Sequence, residues 1–123
     1  MAFGDVGGPV TELVITCQTP GTGTVNIVEG DAVKLTGPYT VTNATSAEDP
    51  VFGQALATTE KNGVGIAVRV RGICIFEYTG AAPTVNGSQG VVASATAGKV
   101  KAPLSGNGVG INVKVDTAAS KVH

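Results

Sequence analysis

From Glu12 onward the apolar positions come in short runs separated by Gly, Pro, Asn and Asp, and none of the runs extends into a helical stripe of useful length. The runs predict strands at 12–18, 23–29, 31–36, 39–43, 50–58, 64–79, 90–96, 99–102 and 109–116. Pro20-Gly21, Gly30-Asp31, Gly37-Pro38, Asp49-Pro50, Asn62-Gly63, Gly80, Ala97-Gly98 and Asn107-Gly108 punctuate them. The only helical candidate, Gln54 to Thr59, is short. Many brief strands with turn chemistry between them indicate an all-β fold, a small single-domain β-barrel or sandwich, rather than βαβ units.

A near-repeat sharpens that expectation. Asn62-Gly63-Val64-Gly65-Ile66-Ala67-Val68-Arg69-Val70 returns as Asn107-Gly108-Val109-Gly110-Ile111-Asn112-Val113-Lys114-Val115. In each copy Asn-Gly suits the positive-φ positions of a tight turn, and the following residues alternate. Ile66, Val68 and Val70 should face inward against Ala67, Arg69 and Arg71. Ile111, Val113 and Val115 should likewise face inward against Asn112, Lys114 and Asp116. The two copies are therefore expected to form equivalent edges of one barrel. Past Arg71 the phase is disturbed, because Ile73 and Ile75 fall on the face of Arg69 and Arg71. Either Gly72 marks a bend between sheets, or Ile73 and Ile75 are covered by another subunit, and these two are the candidate subunit-interface residues.

Residues 1–11 show neither alternation nor repetition and predict a flexible N-terminal arm ahead of a β-domain at 12–116. Residues 117–123 are expected to be an unstructured C-terminal tail. The arm nevertheless carries Phe3, Val6 and Val10, which a merely solvating tail would not need, so these three are candidates for contact with a partner protein or a neighbouring subunit. An eleven-residue arm reaches about 35 Å when extended. The start of the chain has no basic region followed by an apolar core, and no apolar run is long enough for a membrane span. Synthesis in the cytoplasm and no membrane partner are the expectations.

Composition narrows the function classes. In a chain of 123 residues, charged residues are 14%, against about 25% in an average domain, aromatics are 4%, Trp is absent and the formal charge is −1. Disorder would need more charge and less apolar content. The only His is the final residue, His123, so neither Ser nor Cys has a base to activate it, and no catalytic residue is assigned. Glu48 and Asp49, adjacent and just before Pro50, read as a solvated turn rather than an acid/base pair. Cys17 and Cys74 lack His or Cys at ligand spacing, which leaves no metal site, and they read as free, core-directed thiols without a disulfide. Gly21-Thr22-Gly23 and Gly106 to Gly110 read as turns, since no helix follows to receive a phosphate. No cofactor is implied. Arg69, Arg71, Lys99, Lys101 and Lys114 could share one face, as a single-stranded nucleic-acid-binding barrel would require, but basic excess and stacking aromatics are both lacking. That reading is the alternative to a structural one.

Gly30-Asp31-Ala32-Val33-Lys34-Leu35-Thr36-Gly37-Pro38-Tyr39, Val51-Phe52-Gly53-Gln54-Ala55-Leu56-Ala57, Val68-Arg69-Val70-Arg71-Gly72 and Ala97-Gly98-Lys99-Val100 together resemble the head decoration, or capsid cement, proteins of tailed bacteriophages. The resemblance spans residues 25–116 and is one of turns and strands rather than of a catalytic motif. It implies a small non-enzymatic β-barrel on the outer surface of an expanded capsid, with the major capsid protein as partner and self-association as a trimer. Asn86-Gly87-Ser88-Gln89-Gly90 stands where the family has a shorter Gly-acidic turn, and the arm has no clear counterpart.

Overall fold

Alternating Val, Ile and Thr between turn residues fold as strands throughout the computed structural model, which describes residues 12–85, 90–106 and 108–123. The strands are β1 (Leu13–Gln18), β2 (Ala32–Gly37), β3 (Thr40–Thr42), β4 (Gly53–Ala55), β5 (Gly65–Arg71), β6 (Phe76–Glu77), β7 (Val92–Ala93), β8 (Val100–Lys101), β9 (Val115–Asp116) and β10 (Lys121–Val122). No helix occurs among the described residues, and the domain is all-β. β1 to β5 close into a barrel in the order β1-β3-β2-β4-β5. The long antiparallel β1–β5 ladder shuts it, with Cys17 opposite Ile66 and Ile15 opposite Val68. The remaining strands form a three-stranded sheet, β6-β10-β9, and a two-stranded one, β7-β8.

Two cores result. The barrel interior holds Cys17, Val25, Ile27, Val33, Val41, Ala55, Ile66 and Val68. A second core holds Ala32, Val51, Phe76, Val91, Ala93, Val100 and Val122. The barrel wall at β2 serves both. Ala32 and Val33 are neighbours on one strand and both are buried, Ala32 toward the second core and Val33 toward the first. Side chains alternate across a strand, so a wall covered on both faces must be apolar at consecutive positions. At β4 the wall is also thin. A Cβ on Gly53 would lie 2.8 Å from Val68 Cγ1 and against the Arg69 carbonyl, so only glycine allows β4 to approach β5 so closely.

Gly72, at φ +119, is the expected bend between sheets: the chain leaves β5 in the barrel there and re-enters pairing at β6 in the three-stranded sheet. Other expectations need correction. Residues 23–29 form no strand; a single bridge, Ile27 to Thr59, joins this otherwise irregular segment, although Val25 and Ile27 are buried. Of 50–58 only Gly53–Ala55 pairs, and of 109–116 only Val115–Asp116 forms a named strand.

The C-terminal segment is not an unstructured tail. Residues 117–120 turn, with Ser120 at φ 55, and β10 then pairs with both β9 and β6, burying Val122 in the second core. The domain therefore runs through Val122. A two-residue strand is too short for alternation to announce it, and only its partners on both sides reveal it.

Candidate functional site

The two copies of the repeat meet different surroundings, and the candidate site arises from that difference. In the first copy Gly65 lies in β5 opposite Gln18 of β1, and Ile66 and Val68 point into the barrel. In the second copy the equivalent glycine, Gly110, adopts φ +75. That conformation breaks the alternation, so Asn112 is 4% exposed whereas Ile111 and Val113 are 60% and 55% exposed. Asn112 Nδ2 donates to the carbonyls of Thr84 and Gly90, both at 3.0 Å. Ala67, the residue at the matching position of the first copy, has no such group. The expectation that Ile111 and Val113 face inward is therefore overturned: a positive-φ glycine resets the phase, and the buried amide satisfies two carbonyls that a methyl group could not.

The outward-turned residues border an apolar groove of about 180 Å³ between the barrel and the second half of the chain. Phe52 and Val70 contribute from the barrel side, Ile73 and Cys74 from the bend after Gly72, and Ile111 and Val113 from the second repeat copy. Val109, held by its antiparallel bridge to Val91, also lines it. At that bridge the backbones are so close that a Cβ on Gly108 would overlap the Val91 backbone. The rim carries an ion pair, Arg69 Nε to Glu12 Oε1 at 2.8 Å. Arg69 Nη1 also donates to Gln54 Oε1 at 3.2 Å, which fixes the guanidinium. Burial pushes the Cys74 thiol up from its ordinary pKa, only partly offset by the neighbouring Arg69 charge, so Cys74 behaves as an apolar lining group.

Ile73 and Ile75, expected to share a face, line different cavities. Ile73 borders the apolar groove, and Ile75 borders a more polar hollow of about 280 Å³ with Val28, Asp31, Glu77, Lys99 and Lys121. Gln54, buried beside this segment, donates from Nε2 to the Ile75 carbonyl at 2.7 Å. Both isoleucines are partly exposed. Phe3, Val6 and Val10 lie outside the described residues, as does Asn86-Gly87-Ser88.

Glu48 and Asp49 act as cross-links. Glu48 Oε1 accepts from Lys101 Nζ at 2.9 Å and from the Leu104 N–H at 2.7 Å. Asp49 Oδ2 accepts from Lys34 Nζ at 2.6 Å and from the Ser46 N–H at 2.9 Å. The lysine contacts first, and the backbone donors second, hold both carboxyl groups below their ordinary pKa values. Of the basic residues grouped by sequence, Arg69, Lys99 and Lys101 each pair with a carboxylate, Arg69 on barrel strand β5, Lys101 on β8 and Lys99 just before it. Cys17 and Cys74 are free, Cys17 inside the barrel and Cys74 packed against the second core. Among the described residues, no three His, Cys, Asp or Glu side chains are grouped as a metal site.

Sequence reasoning missed Val109, Ile111 and Val113 as surface residues. The available signal was Asn112, a polar residue at a position where the other repeat copy has Ala67. No protein-family model matches the chain, and no curated protein matches it.

Proposed function

We propose that this chain is a non-enzymatic structural protein that binds the outer surface of a bacteriophage capsid, stabilises it, and associates with itself there as a trimer. The observation that carries the reading is the apolar surface of a weakly charged β-domain, on which Leu13, Leu35, Tyr39, Ile75 and Leu104 all stand exposed outside the groove. Apolar, charge-poor surface is what the buried centre of a protein interface uses. The resemblance of the turn and strand pattern to capsid cement proteins supports the major capsid protein as the partner and the virion's outer surface as the location. The carboxylates most open to an acid/base role, Glu48 and Asp49, are committed to lysines and backbone donors, which favours binding over catalysis.

The alternative is a single-stranded nucleic-acid-binding barrel, and salt separates the two. Phosphate contacts release counterions and weaken steeply with ionic strength, whereas apolar protein contacts do not. The purified protein is expected to co-sediment saturably with expanded capsids of its phage, with little change as salt is raised, and to appear as trimeric density on the outer shell by electron microscopy. Retention on single-stranded DNA at low salt, lost at moderate salt and without capsid association, would overturn the structural reading.

A further inference from the structure

We propose that the groove is the seat of the chain's own N-terminal arm, residues 1–11, with Val10 and Val6 laid against Ile73, Ile111 and Val113 and Phe3 as the terminal anchor. The first support is where the arm begins. Glu12 stands on the groove rim, its carboxylate on Arg69 and its Cγ 3.4 Å from the position a Gly72 Cβ would take, and both Arg69 and Gly72 line the groove. Chain leaving Glu12 therefore starts at the groove mouth. The second is reach. Val10 is two residues from Glu12, about 7 Å of extended chain, and the full arm spans about 35 Å. Gly7-Gly8 supplies the freedom to reverse direction between Val10 and Val6.

Chemistry is the third support. Met1, Ala2, Phe3, Val6 and Val10 are apolar, and Asp5 is the arm's only charged side chain. Most of the walls are apolar side chains, Phe52, Val70, Ile73, Ile111 and Val113 among them, with Arg69, Asn112 and His123 as the polar members. A concave site of about 180 Å³ takes a few side chains of a linear segment rather than the face of a folded partner. A tether of this length also holds the arm at an effective concentration of about millimolar, so even weak contacts keep it seated. Seating of the arm requires no capsid.

The test is NMR on the full chain at low concentration. Expected are nuclear Overhauser contacts from the Phe3 ring and the Val10 methyls to the methyls of Ile111 and Val113. Deleting residues 2–10 should shift the Ile73, Ile111 and Val113 methyl resonances, leave Ile27 and Val41 in place, and raise binding of an apolar fluorescent dye several-fold. Adding Ile111→Ser to the deletion should remove that extra dye binding. Absence of the arm contacts, together with unchanged groove resonances and dye binding after deletion, overturns the proposal. So does a truncated protein whose groove methyls are instead covered by the barrel of a second copy. Capsid co-sedimentation of the same samples keeps the readings apart: arm contacts without capsid binding support the seat and remove only the capsid reading.

Discussion

The barrel and the second half of the chain are built from the same residue types, yet they obey the sequence to different degrees. β5 is seven residues long, pairs with β1 along most of its length and with β4 at Val68 and Arg69, and Ile66 and Val68 go where a period of two sends them. Beyond Gly72 every named strand is two residues long. There the direction of a side chain depends on loops, bridges and individual hydrogen bonds. The near-repeat makes the contrast within one motif: inward isoleucine and valine in the first copy, outward in the second. A long ladder enforces register cooperatively, because a slip by one residue would expose every inward side chain at once. A single bridge such as Val91 to Val109 has no such leverage, and Gly110 and Asn112 decide instead.

The sharpest way to break the comparison is to empty each core in turn. Ile27→Ala removes a fully buried side chain from the barrel and is expected to cost about 2–5 kcal/mol. Val122→Ala, in the second core, should cost about 2 kcal/mol, at about 0.8 kcal/mol per buried carbon group plus a cavity contribution. Because the β2 wall is shared, both variants should unfold in one transition in urea, followed by circular dichroism. A two-step curve for Val122→Ala alone would show the second half to be a separate cooperative unit.

Smaller changes sharpen the repeat comparison. Asn112→Ala leaves the Thr84 and Gly90 carbonyls without their donor and should cost about 1–3 kcal/mol. Gly110→Ala meets open space but is strained at φ +75, at a cost of about 1–2 kcal/mol, whereas Gly65→Ala, with Thr16 Cγ2 at 3.5 Å, should stay within about 0.5 kcal/mol of the parent. Equal penalties for the two glycines in chemical denaturation would contradict the different roles assigned to them.

The smallest effect is electrostatic. Glu48 and Asp49 have folded pKa values below the ordinary 4.5 and 3.8, so their contribution is complete above those values and is lost as pH falls through the lowered folded ones. Thermal stability should decline as pH falls from about 6 to about 2, through the ordinary carboxylate range. Glu48→Gln and Asp49→Asn should flatten the decline, and added salt should mute it because both pairs are solvent-accessible. A decline of unchanged slope in the double variant would place the acid sensitivity elsewhere.

Alternation, turn residues and composition by themselves determined an all-β domain, strands at 12–18, 31–36, 39–43 and 64–79 that contain four of the five barrel strands, Gly72 as one of two explanations for a break in phase, and a chain poor in charge. They did so because local sterics and the burial of one strand face act within a few residues. Tertiary structure alone decided that Ala32 and Val33 would both be buried, that Val122 would close a second core, and that Ile73 and Ile75 would line different cavities. It also turned Ile111 and Val113 outward to border a groove at the foot of the arm. Each of those outcomes depends on a partner distant in sequence, such as the Thr84 and Gly90 carbonyls for Asn112 or the Val91 backbone for Gly108. A pattern read along the chain carries the tendency of a residue to be buried, and only its neighbours in space determine whether there is a core to receive it.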